Sequence, residues 1–524
     1  MHHFNTPRLC RIDEVDAKFL EFKLTPEQKA RLPEGKKIVF RKSTHPQKGK
    51  GYRQFVSRAE YTSSEPGKRG RAVSIASKLL GVIWDDDPEW IYETDKSKSS
   101  IKARRVEATK KAEKSKRLVA GMLCRMFSDT IEYDRTAVLV KKIPVPLFLA
   151  VAVLCASRGI TDATSVANYW NQNLSYLRKV LPHEELNEIS HDSVRRIYLS
   201  LKAETVERFL SNFYEWLPKW LPEDARRHIA IDGQTCRSSR HVETNRRMML
   251  LNAVDVTAGK LCMTHTMIDT KSNEPKYVPD ILGKLNVEGA LVSLDALSTN
   301  QGIASEITRR GGFYMLAVKG NQMKLEAAIK AEMSKVKADV ENSEELRQVP
   351  YENEHYRNEK RHYVVLPANR LPQELRTGWI GLDEGCIIQA LTTSFRSNKA
   401  GEWSTSREIR YFITNHPYQD GSHDEWLAEC IRGHWGVESF HWTMDMLWQQ
   451  DYMQCKHPAY LNTREAIAKL GHNLLKTFQQ IDKKERGLSR MRSEKQLQNE
   501  VGITVENGLI WLLKAIQERE SRQS

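Results

Sequence analysis

Between residues 226 and 330 the hydrophobic period of this chain falls from three or four residues to two, and the order of elements that follows limits the fold more than any other feature. HIAIDG, RRMMLLNAVDVT and KLCMTHTMID read as three successive strands. PKYVPDILGKL then reads as a helix, GALVSLDAL as a strand, NQGIASEITRRG as a helix and FYMLAVKG as a strand. The order β-β-β-α-β-α-β predicts a mixed sheet with helices on its faces.

Around this block the chain changes character several times. Residues 36–78 hold twelve Lys and Arg against Glu60 and Glu65, in stretches such as KKIVFRK and GYRQFVSRAEY broken by EPGKRGR. They predict short strands joined by basic turns, either a small module that contacts DNA or a solvated basic surface or partly disordered arm. The charged, apolar-poor stretch from Lys98 to Arg117 reads as a linker or exposed helix, with a boundary near residue 115. Residues 118–222 place apolar side chains at helical intervals, and so does DEWLAECIRGHWGVESFHWTMDMLW near the end. The expected division is a basic N-terminal module and linker (1–115), an all-α domain (116–225), the first part of an α/β core (226–330), a β-rich insertion (331–425), the returning part of the core (426–482) and a charged helical tail (483–524).

The 81 Lys and Arg against 67 Asp and Glu leave a net charge of +14, which favours a polyanionic partner over a small acidic substrate. Eight scattered cysteines without a CxxC pair argue against a zinc site or a disulfide framework and point to a reducing compartment. MHHFNTPRLCRIDEV lacks the apolar segment of a signal peptide, and the longest apolar run, Val145 to Ala156, is too short to span a bilayer. A cytoplasmic, nucleoid-associated protein with no membrane partner is expected.

Two strands of the block end on a carboxylate. Asp232 follows the apolar run of IAIDGQT, and Asp295 closes LVSLDAL. Burying an unpaired carboxylate is expensive, so such residues are paired, hydrogen-bonded or metal-bound, unless they serve as turn formers or helix caps. In the ordering of an RNase H-like fold the two strands lie side by side, which puts both acids at one edge of the sheet. A third acid is expected on a helix packed over that edge. Glu438 is the candidate, with Arg432, Trp435, Ser439 and Trp442 in a stripe beside it. Three such oxygen donors suit Mg²⁺ or Mn²⁺, and a pair of these ions is the arrangement that drives in-line displacement at phosphorus.

SHDSVRRIY (190–198), IAIDGQTCR (229–237), DTKSNE (269–274), LVSLDAL (291–297), FYMLAVKGNQ (313–322), HYRNEKR (355–361) and IRGHWGVESFHWTMDM (431–446) follow one another along the chain. In this order they resemble the ISAs-type, H-repeat-associated DDE transposases of bacterial insertion sequences, over roughly residues 140–480. The resemblance implies an RNase H-like core, interrupted before the Glu, that cleaves transposon ends and joins them to target DNA. The family's catalytic and metal-holding acids fall on Asp232, Asp295 and Glu438. The first 115 residues match no part of the family, and Tyr356 stands where the family usually has Gly.

Further residues are expected to meet DNA. Arg195 and Arg196 lie near the start of a helix that Ser190 can cap, where they either touch phosphate or are simply solvated. Lys319, Asn321 and Gln322 follow the fifth strand, where an ammonium and two amides suit a phosphate or a base edge, or the turn itself. Arg432 can clamp a phosphate, Trp435 and Trp442 either stack on unpaired bases or pack helix against sheet, and His434, His441 and Asp445 either support the acids or are structural. The reading is a DNA transposase acting as a homodimer. A transposase-derived DNA-binding regulator and an RNase H-like nuclease without strand transfer are its rivals.

Overall fold

The computed structural model describes residues 8–11, 39–46, 52–63, 71–92, 115–117, 119–122, 124–134, 143–180, 186–221, 225–239, 247–268, 274–340, 352–354, 357–397, 403–452, 457–501 and 504–523. It divides into two compact units, Met1–Lys114 and Ser115–Ser524.

In the first unit, β1 (Arg8–Arg11), β2 (Val39–Pro46), β3 (Tyr52–Ser63), β4 (Arg71–Trp84) and β5 (Asp87–Tyr92) make an antiparallel sheet of order β1-β5-β4-β3-β2. Asp85 and Asp86 make the turn between β4 and β5. Gly81 is required beside them, because a Cβ there would stand 2.5 Å from the Tyr92 carbonyl oxygen. Of the basic residues in 36–78, Lys36, Lys37, Lys48, Lys50, Lys68 and Arg69 lie outside the described residues.

In the second unit, helical residues at 115–117, 119–122 and 124–130 precede α1 (Val145–Ala156), α2 (Ala163–Gln172), α3 (Leu174–Val180), α4 (His191–Ser200) and α5 (Ala203–Trp216). The apolar run that forms α1 is buried almost throughout. Ser190 caps α4, its hydroxyl accepting from the Ser193 amide at 3.3 Å. Then come β6 (His228–Thr235), β7 (Met249–Asp255), β8 (Leu261–Ile268), α6 (Glu274–Gly283), β9 (Leu291–Leu294), α7 (Gln301–Arg309), β10 (Phe313–Val318) and α8 (Met323–Val340), in the order read from the sequence. β11 (Glu352–Glu354), β12 (Arg357–Pro367), β13 (Cys386–Ser397) and β14 (Trp403–Thr414) follow, and the chain closes with α9 (Asp424–Gly433), α10 (Trp435–Leu447), α11 (Pro458–Arg486), α12 (Glu494–Val501) and α13 (Val505–Gln523).

Nine strands form one mixed sheet, β11-β12-β13-β14-β10-β9-β6-β7-β8. β9 lies parallel between β6 and β10, and the outer pairs are antiparallel. Helices cover both faces, as the buried His228–Ile231 run requires. Ile229 and Ile231 pack with α6, α7 and α8, whereas Ala230 and Val254 pack with the early helices and with α10 and α11. Residues 331–425 were expected as an insertion domain with strands. Their strands instead continue the core sheet, because β14 pairs with β10 from Val318↔Tyr411 to Met315↔Thr414. The helices expected as a separate all-α domain likewise share one apolar core with α10–α13, including Leu497, Val501, Leu509 and Leu512 from the supposed tail.

Candidate active site

β6 and β9 run side by side with Ala230 opposite Ser293, which brings Asp232 and Asp295 to the same end of the sheet. Side chains alternate along a strand, so Asp232 shares the face of Ala230, the face on which α10 lies. Asp295 sits one residue past β9. Its Oδ1 accepts from the Leu297 and Ser298 amides at 3.0 and 3.3 Å and caps a short 3₁₀ turn. The turn fixes the carboxylate's place without enclosing it.

Glu438 stands exposed on the first turn of α10. Together the three acids border one cavity of about 390 Å³. Lys319 and Arg432 border it too, with Trp435 at its rim, 48% exposed beneath the Arg410 guanidinium. The helix expected to carry Arg432 and Glu438 together is two helices that meet at His434, with Arg432 on α9 and Glu438 on α10.

The junction is tied to the sheet. His434 Nδ1 lies 2.8 Å from Ser293 Oγ, whose other neighbour is His228 Nε2 at 2.7 Å. Burial pushes the His434 imidazole down to about 4, against the opposing pull of Asp295, and pushes His228 down to about 3 with help from His434. Both rings are therefore neutral near pH 7. On the other side of α10, His441 places Nδ1 3.8 Å from Asp232 Oδ2 and Nε2 3.0 Å from the Asn252 amide. Asp445 accepts from Gln234 at 3.2 Å, and burial followed by the charge of Asp451 raises its carboxyl to about 6.

Other expected residues sit differently. Asn321 donates to the Ala296 carbonyl at 2.6 Å and Gln322 to the Thr299 carbonyl at 3.2 Å, so both amides brace the loop after Asp295. Trp442 is 65% exposed, one turn beyond Glu438, and is not among the cavity-lining residues. Arg195 and Arg196 are exposed on α4 and do not line the cavity either.

The sheet extension supplies residues that sequence reading missed. Arg361, Thr392 and Glu408 align across β12, β13 and β14, as do Tyr363, Ala390 and Arg410, and all six face the cavity. Glu359 pairs with Arg361 at 2.7 Å, and Glu408 with Arg410 at 2.8 Å. Arg361 closes the HYRNEKR block, which was the available signal. Glu408 and Arg410 carried none, because alternating charges on a long strand read as a solvated face.

By chemistry, three carboxylates around one cavity suit a hard divalent cation. Among the described residues no group of three or more His, Cys, Asp or Glu is placed closely enough to hold a metal ion.

Comparison with known proteins adds descent to this geometry. The profile of the "Transposase DDE domain" family matches residues 223–461, the span from just before β6 to the start of α11. The chain is 28% identical to the H repeat-associated putative transposase YhhI of Escherichia coli K12 over 62% of its own length and 82% of that protein. With the putative transposase YncI of Escherichia coli O157:H7 it shares 27% over 64% and 82%. An uncharacterized protein from the dhlA 3′ region of Xanthobacter autotrophicus is 31% identical, over 51% of this chain and 86% of that one. The chain belongs to the H repeat-associated family of DDE transposases. A solved piggyBac transposase synaptic complex superimposes only loosely, with a TM-score of 0.33 and 10% identity over 72% of each chain, and the family assignment does not rest on it. The family match spans Asp232, Asp295 and Glu438, together with the strands of the sheet extension.

Proposed function

We propose that this chain cuts DNA at transposon ends and joins the freed 3′ ends to target DNA, with Asp232, Asp295 and Glu438 as the metal-holding acids of an RNase H-like core. The observation that carries the reading is that three carboxylates from separate elements border one cavity in a member of a DDE transposase family. When bound, two Mg²⁺ or Mn²⁺ ions supply activation of the attacking oxygen and neutralisation of the leaving one. The protein's own part is placement. The capped turn after β9 fixes Asp295, His441 and the strand geometry fix Asp232, and the Ser293–His434 bond fixes the start of α10. Lys319 and Arg432 hold non-bridging phosphate oxygens of the DNA, and Trp435 offers a flat apolar face to a neighbouring base or sugar. Two ends are cut together, so the active form is taken to be a homodimer bound to DNA.

The test incubates the purified chain with labelled duplex ends from its own element, a supercoiled plasmid and Mg²⁺. Label joined to plasmid supports the reading. Cleavage without joining would assign the chain to nucleases, and binding without cleavage would make it a transposase-derived regulator.

A further inference from the structure

Beyond Asp232 the seam between β6 and α10 opens again, into a second polar cavity of about 300 Å³. β6 and α10 run in the same direction here, with Asp232 beside His441 and Gln234 beside Asp445. The two cavities are consecutive stations on one seam, with His441 between them: its ring nitrogen faces Asp232, and its side chain helps line the second space. At about 3.3 Å per strand residue, Thr235 lies roughly 10 Å from Asp232, which is further than one phosphate group reaches.

The second cavity has its own chemistry. Arg237 and Arg247 are exposed at its walls, Arg237 with 73% of its side chain open and 3.4 Å from Asp451. Gln234 is held in the floor, donating to Asp445 and accepting from Asn252 at 3.4 Å. Two guanidinium groups above a fixed polar floor suit a phosphodiester rather than an apolar ligand. A small substrate needs one such space, whereas a polymer needs the seam.

We propose that this second cavity seats the nucleotides that follow the scissile phosphate on the same DNA strand, with Arg237 and Arg247 on their phosphates. The inference rests on the phosphoryl-transfer reading above and extends it from the reacting phosphate to the path of the strand. Arg237 then exchanges its Asp451 partner for a phosphate oxygen, an exchange its exposure permits.

The experiment measures affinity of the full chain for a mixed-sequence single-stranded oligonucleotide as a function of salt. It compares wild type, the double variant Arg237→Gln/Arg247→Gln and the charge-retaining Arg237→Lys/Arg247→Lys. Each lost phosphate contact flattens the slope of log K against log salt by about 0.7 on single strands, so the glutamine pair is expected to flatten it by about 1.4. The lysine pair is expected to restore it. An unchanged slope in the glutamine pair overturns the inference, and so does a slope that stays flat in the lysine pair, which marks a structural loss. If these slopes appear but the wild type cuts no transposon end, it is the phosphoryl-transfer reading that falls. Wild type that binds no DNA overturns both.

Discussion

Gly233 follows Asp232 directly, and a Cβ added there would meet the buried Glu274 carboxylate at 2.1 Å. Gly233→Ala is expected to cost about 1–3 kcal/mol, as overpacking a tight core does, read as a lower midpoint in urea. Because the Glu274 side chain must give way beside the residue that follows Asp232, cleavage should fall with it. His228 gives a pH signature. Its imidazole titrates near 3 when folded against 6.5 when exposed, so the folded state binds fewer protons than the unfolded one between those values. The stability it confers is complete above pH 6.5 and is lost as pH falls toward 3, by about 1.4 kcal/mol per pKa unit. His228→Gln should flatten that acid limb in denaturation curves measured from pH 7 to 4; an unchanged limb would place the acid sensitivity elsewhere. At this scale the sequence was informative about Asp232 and Asp295, because an apolar strand that ends on an acid stands out. It was silent on Ser293, a small polar residue whose importance comes only from the two histidines it joins across 65 and 141 residues.

The elements around the site are held by side chains that substitute for backbone partners. β8 is the edge of the sheet, and Asn473 of α11 both accepts from the Cys262 amide at 2.9 Å and donates to its carbonyl at 2.7 Å. Asn473→Ala leaves both groups buried and unsatisfied, so a loss of about 1–3 kcal/mol is expected in thermal or urea unfolding. The α9–α10 junction depends in the same way on Ser293. Ser293→Ala should lower the rate of DNA cleavage while leaving DNA affinity within error, since it loosens the helix that carries Glu438 without removing a group expected to touch DNA; a parallel loss of affinity would contradict that role. The strands of residues 226–330 were legible because the hydrophobic period drops to that of a strand there. The break at His434 was not, since the apolar period runs through it unbroken. The union of β14 with β10 left no local trace, because it joins segments almost a hundred residues apart.

At the scale of the whole molecule the nine-stranded sheet explains why so much of the chain serves one cavity. The core ends of β6, β9 and β10 carry two acids, the extension strands β12–β14 build the facing wall, and α9 and α10 close the side between them. α9 is seated by Leu427, Cys430 and Ile431 on an apolar face shared by Leu291 and Met315 of the core and Val365, Ile388 and Ala390 of the extension, so extension and core fold as one body. The division at Lys114 makes a further outcome testable. Residues 115–524 expressed alone should unfold cooperatively, because the second unit has its own cores, and should bind DNA with a shallower salt dependence, because the basic strands of the first unit are gone. The central claim, that Asp232, Asp295 and Glu438 act together on a DNA phosphate, is tested most directly by Mg²⁺-dependent cleavage of labelled transposon ends. Wild type is compared there with Asp232→Ala, Asp295→Ala and Glu438→Ala, with DNA binding measured in parallel. The account predicts that each variant binds DNA as wild type does and cuts at least about a hundredfold more slowly, the loss expected when a group that stabilises the transition state is removed. Variants that cut at the wild-type rate would contradict it.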